Sequence, residues 1–130
     1  MSDERLADRP LLIFDGACGT TLQGMHLPAL AWQGRDGCNE YLNLTAPSAI
    51  VEMHRQFLEA GSDAVETNTF GASRIVLAEY GLEDRVRAIN AAGVALARRA
   101  AEGLPGRLVA GSVGPTTKLP SLGHIARDEL

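Results

Sequence analysis

An α/β fold with a parallel sheet is what this sequence predicts, and two observations predict it. Short apolar runs alternate with longer amphipathic segments, three times along 130 residues, and each apolar run ends in small and polar residues. Alternation of this kind argues for right-handed βαβ crossovers, whose strands lie parallel. In such sheets ligands sit at the carboxyl ends of the strands, which is where the exits DGACGTT, ETNTFGAS and GSVGPTT would gather.

Taken in order, residues 1–10, "MSDERLADRP", form a polar tail of mixed charge. "LLIFD" (11–15) predicts the first strand. The glycine-rich stretch from Gly16 to Asn43, with Pro28 and the lone Trp32, predicts a short helix near Thr20–Gln23 and then a long loop. A helix follows in "NLTAPSAIVEMHRQFLEAG": Thr45 suits the N-cap, Pro47 the first turn and Gly61 the position just past the end. Ile50, Met53, Phe57 and Leu58 share one stripe at helical spacing, which marks the buried face. "SDAVETNTFGAS" predicts a second strand of about five residues, and "SRIVLAEYG" a short helix stopped at Gly81. The longest helix runs from about Glu83 to Glu102, with Val86, Ile89, Gly93, Leu96 and Ala100 on one side. Leu108–Ser112 predicts a third strand, and "ARDEL" the first turn of a further helix.

Composition removes several classes of function. With 12 Lys and Arg against 16 Asp and Glu the net charge is -4, the wrong sign for a nucleic-acid binder. No apolar run approaches the length that spans a bilayer, and no secretory h-region is visible, so a cytoplasmic location is the expectation. Two cysteines, Cys18 and Cys38, are too few for a disulfide scaffold.

The chemistry-bearing residues each admit two readings. Asp15 is a candidate acceptor for a substrate amine, or caps the turn that follows it. Glu66 points inward near a strand end, where a carboxylate costs free energy unless a cation or donor meets it; a salt bridge to an arginine is the plain alternative. Asn68 and Thr69 suit a polar ligand and also suit a turn. Gly16, Gly19, Gly111 and Gly114 permit close backbone approach or simply turn the chain. "DGACGT" does not fit G-x-G-x-x-G, and no P-loop lysine follows, so nucleotide binding has no motif behind it. Cys18 and Cys38, twenty residues apart without C-x-x-C, read as small soft residues rather than as a nucleophile or zinc pair. His54 reads as a surface or capping residue of its helix, and His26 and His124 as loop histidines without a visible partner.

Three runs, "LLIFDGACGTTLQ", "GCNEYLNLTAPSAIVEMHRQFLEAGSDAVETNTFGASRIVLAEYGLEDRVRAIN" and "VAGSVGPTTKLPSLGHI", resemble the homocysteine S-methyltransferases, and specifically the homocysteine-binding module of the cobalamin-dependent methionine synthases. The resemblance covers about Leu11 to Leu130. It implies a (β/α)8 TIM-type barrel that binds homocysteine at the carboxyl ends of its strands. It implies zinc, held by three cysteines, on the homocysteine sulfur, and cobalamin as the carrier of the methyl group that yields methionine. It also implies that Asp15 and the backbone of Gly16, Ala17 and Cys18 hold the amino-acid end of the substrate, with Glu66, Asn68 and Thr69 added from the second strand and Gly114 to Thr117 from the third.

The departure is as informative as the match. The family's zinc cysteines arise late in the barrel, and Cys18 stands where the family usually has methionine, so it inherits no ligand role. A complete barrel takes about 250 residues. The expectation is therefore the first three or so βα units of a barrel incomplete in this chain, residues 11–130. Neither zinc nor cobalamin is expected to be held by it alone, and methyl transfer by it alone is not expected. The partners implied are homocysteine and either the remainder of the barrel or a complementing chain, with no nucleic acid and no membrane.

Overall fold

Two parallel β-strands and a third chain segment bridged to them form the sheet of the computed structural model, which describes residues 10–130. The sequence reading of residues 1–10 as a polar tail lies outside the described residues except for Pro10. The elements, in chain order, are α1 (Cys18–Gly24), α2 (Ala29–Trp32), α3 (Leu42–Thr45), α4 (Pro47–Ala60), β1 (Ala64–Glu66), α5 (Arg74–Ala78), α6 (Val86–Ala101) and β2 (Leu108–Ala110). Short 3-10 turns lie at Asn39–Tyr41, Glu83–Arg85, Pro120–Leu122 and Arg127–Glu129.

The sheet is parallel and in sequential order. Ala64, Val65 and Glu66 pair with Leu108, Val109 and Ala110, and Phe14 bridges Ala64 in the same sense. The first predicted strand, Leu11–Asp15, is thus reduced to a single bridge. Its backbone pairing is confined to Ile13–Asp15: Asp63 and Ala64 donate to the Ile13 carbonyl at 2.7 and 3.2 Å, and Asp15 donates to that of Ala64 at 3.0 Å. The physical reason is that this segment has a sheet neighbour on one side only among the described residues, so no second ladder holds it extended. Leu11 and Ile13 are accordingly more than half exposed. The other two strands are also shorter than the apolar runs that encode them. Past Glu66 the Thr67 N–H still donates to the Ala110 carbonyl at 2.8 Å, and beyond that the ladder gives way to side-chain bonds, the Ser112 N–H donating to the Thr67 hydroxyl at 3.0 Å.

Helices α4 and α6 are each encoded by apolar residues at helical spacing and pack against one another and onto the sheet. Ile50, Met53 and Leu58 of α4 and Ile89, Leu96, Ala97 and Ala100 of α6 are buried, whereas Phe57 and Val86 are only half-buried. Leu58, Val65, Ala97 and Ala100 form the contact between helices and sheet, with Val109 against them. Pro47 starts α4 with its fixed φ, and Gly61 ends it at φ 116°. Replacing Gly61 by Ala meets no atom within 4 Å, so only left-handed strain is added. A loss of about 1 kcal/mol in urea unfolding is expected.

Two local expectations are overturned. Thr45 does not cap α4: the N-cap is Ala46, without a side-chain bond, and the Thr45 hydroxyl donates back to the Tyr41 carbonyl at 3.3 Å. The run Asn39–Thr45 is already coiled into a 3-10 turn and α3, so Thr45 ends one helix instead of starting the next. His54 is not at the surface but fully buried. The short helix predicted near Thr20–Gln23 is α1, whereas the long loop predicted after it contains α2 and a 3-10 turn, and "ARDEL" makes a single 3-10 turn. No described helix is long and apolar enough to cross a membrane.

Candidate functional site

The exits of the bridged segment, β1 and β2 meet at a cleft of about 330 Å³ lined by Asp15, Gly16, Ala17, Cys18, Gly19, Asn39, Glu40, Glu66, Thr67, Asn68, Phe70 and Ser112. That volume lies at the small end of the range for ligand sites, which suits a small polar molecule.

Asp15 stands at the first exit, its side chain 8 % exposed. Its Oδ1 accepts the backbone N–H of Glu66 at 2.9 Å, which ties the first exit to the second. Burial pushes the Asp15 carboxyl up; the Glu66 N–H bond opposes this, and the nearby Glu66 charge adds to it. Beyond Asp15 the chain reverses through Ala17 in the left-handed region, φ 47°, and enters α1 at Cys18. The Cys18 thiol donates to Asn68 Oδ1 at 3.6 Å. Burial, followed by the charges of Glu40 and Asp15, raises its pKa to about 11, so it stays a thiol near neutral pH.

The wall formed by the second and third exits is laced by hydrogen bonds. Asn68 Nδ2 donates to the Asn39 carbonyl and to Asn43 Oδ1, both at 2.9 Å. Asn43 Nδ2 donates in return to the carbonyls of Asn68 at 2.8 Å and Ile89 at 3.2 Å. The hydroxyls of Thr67 and Thr69 lie 2.6 Å apart; Thr69 donates to the Ser112 carbonyl and Thr67 accepts the Ser112 N–H. Both N–H groups of the Asn68 amide are therefore engaged within the protein, and so is the Thr69 hydroxyl. Thr69 and Gly114 line not this cleft but a smaller one of about 100 Å³ beside it, where the Gly114 N–H donates to the Phe70 carbonyl at 3.0 Å. Glu66 is exposed to the cleft, and its Oε2 accepts the Ser112 hydroxyl at 3.0 Å. Neither Glu66 nor Asp15 has an arginine ion pair among the described residues.

Sequence reasoning missed Glu40 and Ser112. Glu40 Oε1 accepts the Gly71 N–H at 2.7 Å and holds the loop after β1 against the cleft. Nothing in "CNEY" marks it, because only the fold brings it beside a residue 31 positions later. Together Asp15, Glu40 and Glu66 give the cleft three carboxylates, a surface that favours a cationic group such as an amino acid's ammonium.

The chain matches the family model described as homocysteine S-methyltransferase over residues 12–130. The chain belongs to the homocysteine S-methyltransferase family. Among curated relatives, the methionine synthase of Mycobacterium tuberculosis is 45 % identical, over 95 % of this chain and 11 % of its own length. That of Mycobacterium leprae is 46 % identical, over 93 % and 10 %. The chain thus spans about a tenth of these relatives. Of solved structures, the metallated form of the homocysteine methyltransferase MmuM from Escherichia coli superposes with a TM-score of 0.69 at 31 % identity, covering 85 % of this chain and 40 % of that one. The oxidized form gives 0.66 at 29 %. The mixed α/β architecture is therefore that of part of a homocysteine methyltransferase.

The residues described do not fit the zinc that the family resemblance implies. No group of three or more His, Cys, Asp or Glu is placed to hold a metal among the described residues. Cys38 is buried in a separate cluster with Ala72, Leu77, Leu82 and Ile89, and Cys18 is held protonated.

Proposed function

We propose that this chain supplies the amino-acid end of a homocysteine pocket and forms the first three or so βα units of a (β/α)8 homocysteine S-methyltransferase barrel. The observation that carries the reading is the convergence of three parallel exits, with Asp15, Glu66 and Asn68, on one small acidic cleft. In this reading Asp15 receives the substrate ammonium, with Glu66 adding to the field, and the backbone of Gly16, Ala17 and Cys18 approaches the ligand. Asn68 and Thr69 fix the wall, and Gly114 closes the neighbouring hollow. The reaction of the complete barrel is methyl transfer to the homocysteine sulfur, giving methionine, with the methyl carried by cobalamin as the resemblance to methionine synthases implies. The ion that activates the sulfur comes from residues outside this chain, so no bond-making step is assigned to it and it has no turnover alone.

A second reading, a non-catalytic subunit that completes a split barrel with a partner chain, is favoured by the apolar residues left open at the sheet's edges and exits. Leu11 is 72 % and Val113 92 % exposed. A stable monomer in light scattering counts against this reading, and a stable complex with a complementing chain supports it.

The main reading is tested by metal analysis, a methionine-forming assay and calorimetric titration with L-homocysteine. Expected are no stoichiometric zinc, no turnover, and an affinity that falls about 10-fold or more in Asp15→Asn, the loss of one charge-assisted bond. Tight stoichiometric zinc, real turnover, or an unchanged affinity in the variant overturns it.

A further inference from the structure

The cleft accounts for one face of Asp15; the other faces a histidine that nothing so far employs. His54 lies on α4, behind the cleft, with no exposed surface, and neither of its ring nitrogens has a hydrogen-bond partner among the described residues. Its Nδ1 is 4.0 Å from Asp15 Oδ2. That is too long for a hydrogen bond, yet an approach of about 1 Å makes one. Buried polar groups without partners are rare and costly, and a neutral imidazole always carries one N–H that needs an acceptor.

We propose that His54 is a positioning residue for Asp15: its Nδ1–H donates to Oδ2, keeping the carboxylate ionised and aimed through the cleft at the ammonium of the amino-acid substrate. The inference rests on the proposed role of Asp15 as amine acceptor. The geometry divides the labour. Oδ1 is anchored by the Glu66 N–H at the front, and Oδ2 meets the imidazole at the rear. Such a partner also decides which ring nitrogen holds the proton. A buried carboxylate needs help of this kind, because burial and the charge of Glu66 both favour its neutral form.

The surrounding charges leave this pairing unrivalled. On the cleft side Asp15 is faced by Glu66 from β1, Glu40 from the 3-10 turn and the Cys18 thiol from α1, none of them a cation. On its own helix the neighbouring cation, Arg55, is turned to Glu59 and to the carbonyls of Ala100 and Glu102. On α6, which packs against α4, Arg87, Arg98 and Arg99 are exposed.

Nitrogen-15 and carbon-13 NMR of the 130-residue chain tests the pairing directly. Expected is a neutral His54 with the proton on Nδ1 near neutral pH, and an Asp15 carboxyl midpoint that rises by about one pH unit in His54→Phe. His54→Gln, which keeps an N–H donor, should restore most of that shift. The affinity for L-homocysteine should fall about 10-fold in His54→Phe and recover in His54→Gln. A proton on Nε2, or an Asp15 midpoint unmoved in His54→Phe, overturns the proposal. Should the phenylalanine variant fail to fold, the tautomer of the wild-type ring and the glutamine variant still decide it. If the wild-type chain binds no homocysteine while the NMR outcomes hold, the substrate reading fails and the pairing stands.

Discussion

Gly93→Val should cost the fold about 3–5 kcal/mol, the sum of overpacking and of buried polar groups left without partners. A Cβ at residue 93 would lie 2.6 Å from Thr69 Cγ2 and 2.9 Å from Asn43 Nδ2. Neither neighbour can yield cheaply. Asn43 Nδ2 is shared between two carbonyls, and Thr69 is bonded to Thr67 and Ser112. The absence of a side chain at Gly93 is what lets α6 approach the loop after β1, and so what sets the cleft wall at Asn68. Alanine at the same place should cost less, because the gain in helix propensity of about 1 kcal/mol offsets part of the clash. Ala95→Val, on the exposed side of the same helix, is the control and should stay within about 1 kcal/mol of wild type. Urea unfolding measures all three. A Gly93→Val chain as stable as the control would mean that the close approach does not exist.

The second large effect is the loss of stability in acid. Burial lowers the pKa of His54 from 6.5 to about 4. In the unfolded chain the imidazole takes up a proton as the pH falls below 6.5, while the folded chain does not until near 4. Within that window the unfolded state binds more protons, so stability is full above 6.5 and declines as the pH drops toward 4, by about 3 kcal/mol in all. Asp15 acts in the opposite sense. Its carboxyl is held above the ordinary 3.8, so the folded chain protonates it first and recovers part of the loss at the acid end. Unfolding by urea between pH 4 and 7 should show a slope that His54→Phe largely removes. At pH 7 that variant should be about 1 kcal/mol less stable than wild type, the cost of the one-unit rise in the Asp15 midpoint that follows when its imidazole partner is removed. An identical slope in both proteins would contradict the assignment.

The His54 result also shows what the sequence does and does not disclose. The apolar stripe of α4 passes through residues 50, 53, 54, 57 and 58, so position alone puts His54 inside; reading it by residue type put it outside. The two long helices and the three strand exits were legible, because apolar spacing and the polar exits are local signals. Strand lengths were not, since the length of a ladder depends on neighbours elsewhere in the chain. The bridge at Phe14 shows this for a segment paired on one side. Thr45 misled because its capping preference is equally served by a bond back to Tyr41 inside the preceding turn. Asp15 and Glu66 could be picked out as carboxylates at strand ends. Glu40 could not, because its place beside Gly71 is created by tertiary packing alone. The commitment of Asn68 to Asn39 and Asn43 was equally hidden, and it changes that residue from a ligand donor into part of the wall.

Three strand exits form one partial cup, proposed here to take an amino acid. Backbone amide shifts of the 130-residue chain, followed during titration with L-homocysteine, test this most directly. The prediction is that the perturbed residues cluster at Asp15–Cys18, Glu66–Asn68 and Ser112, and that Asp15→Asn suppresses the response. Perturbations centred elsewhere, such as in a separate hollow of about 300 Å³ lined by His26 and Trp32, or no response at all, would contradict it.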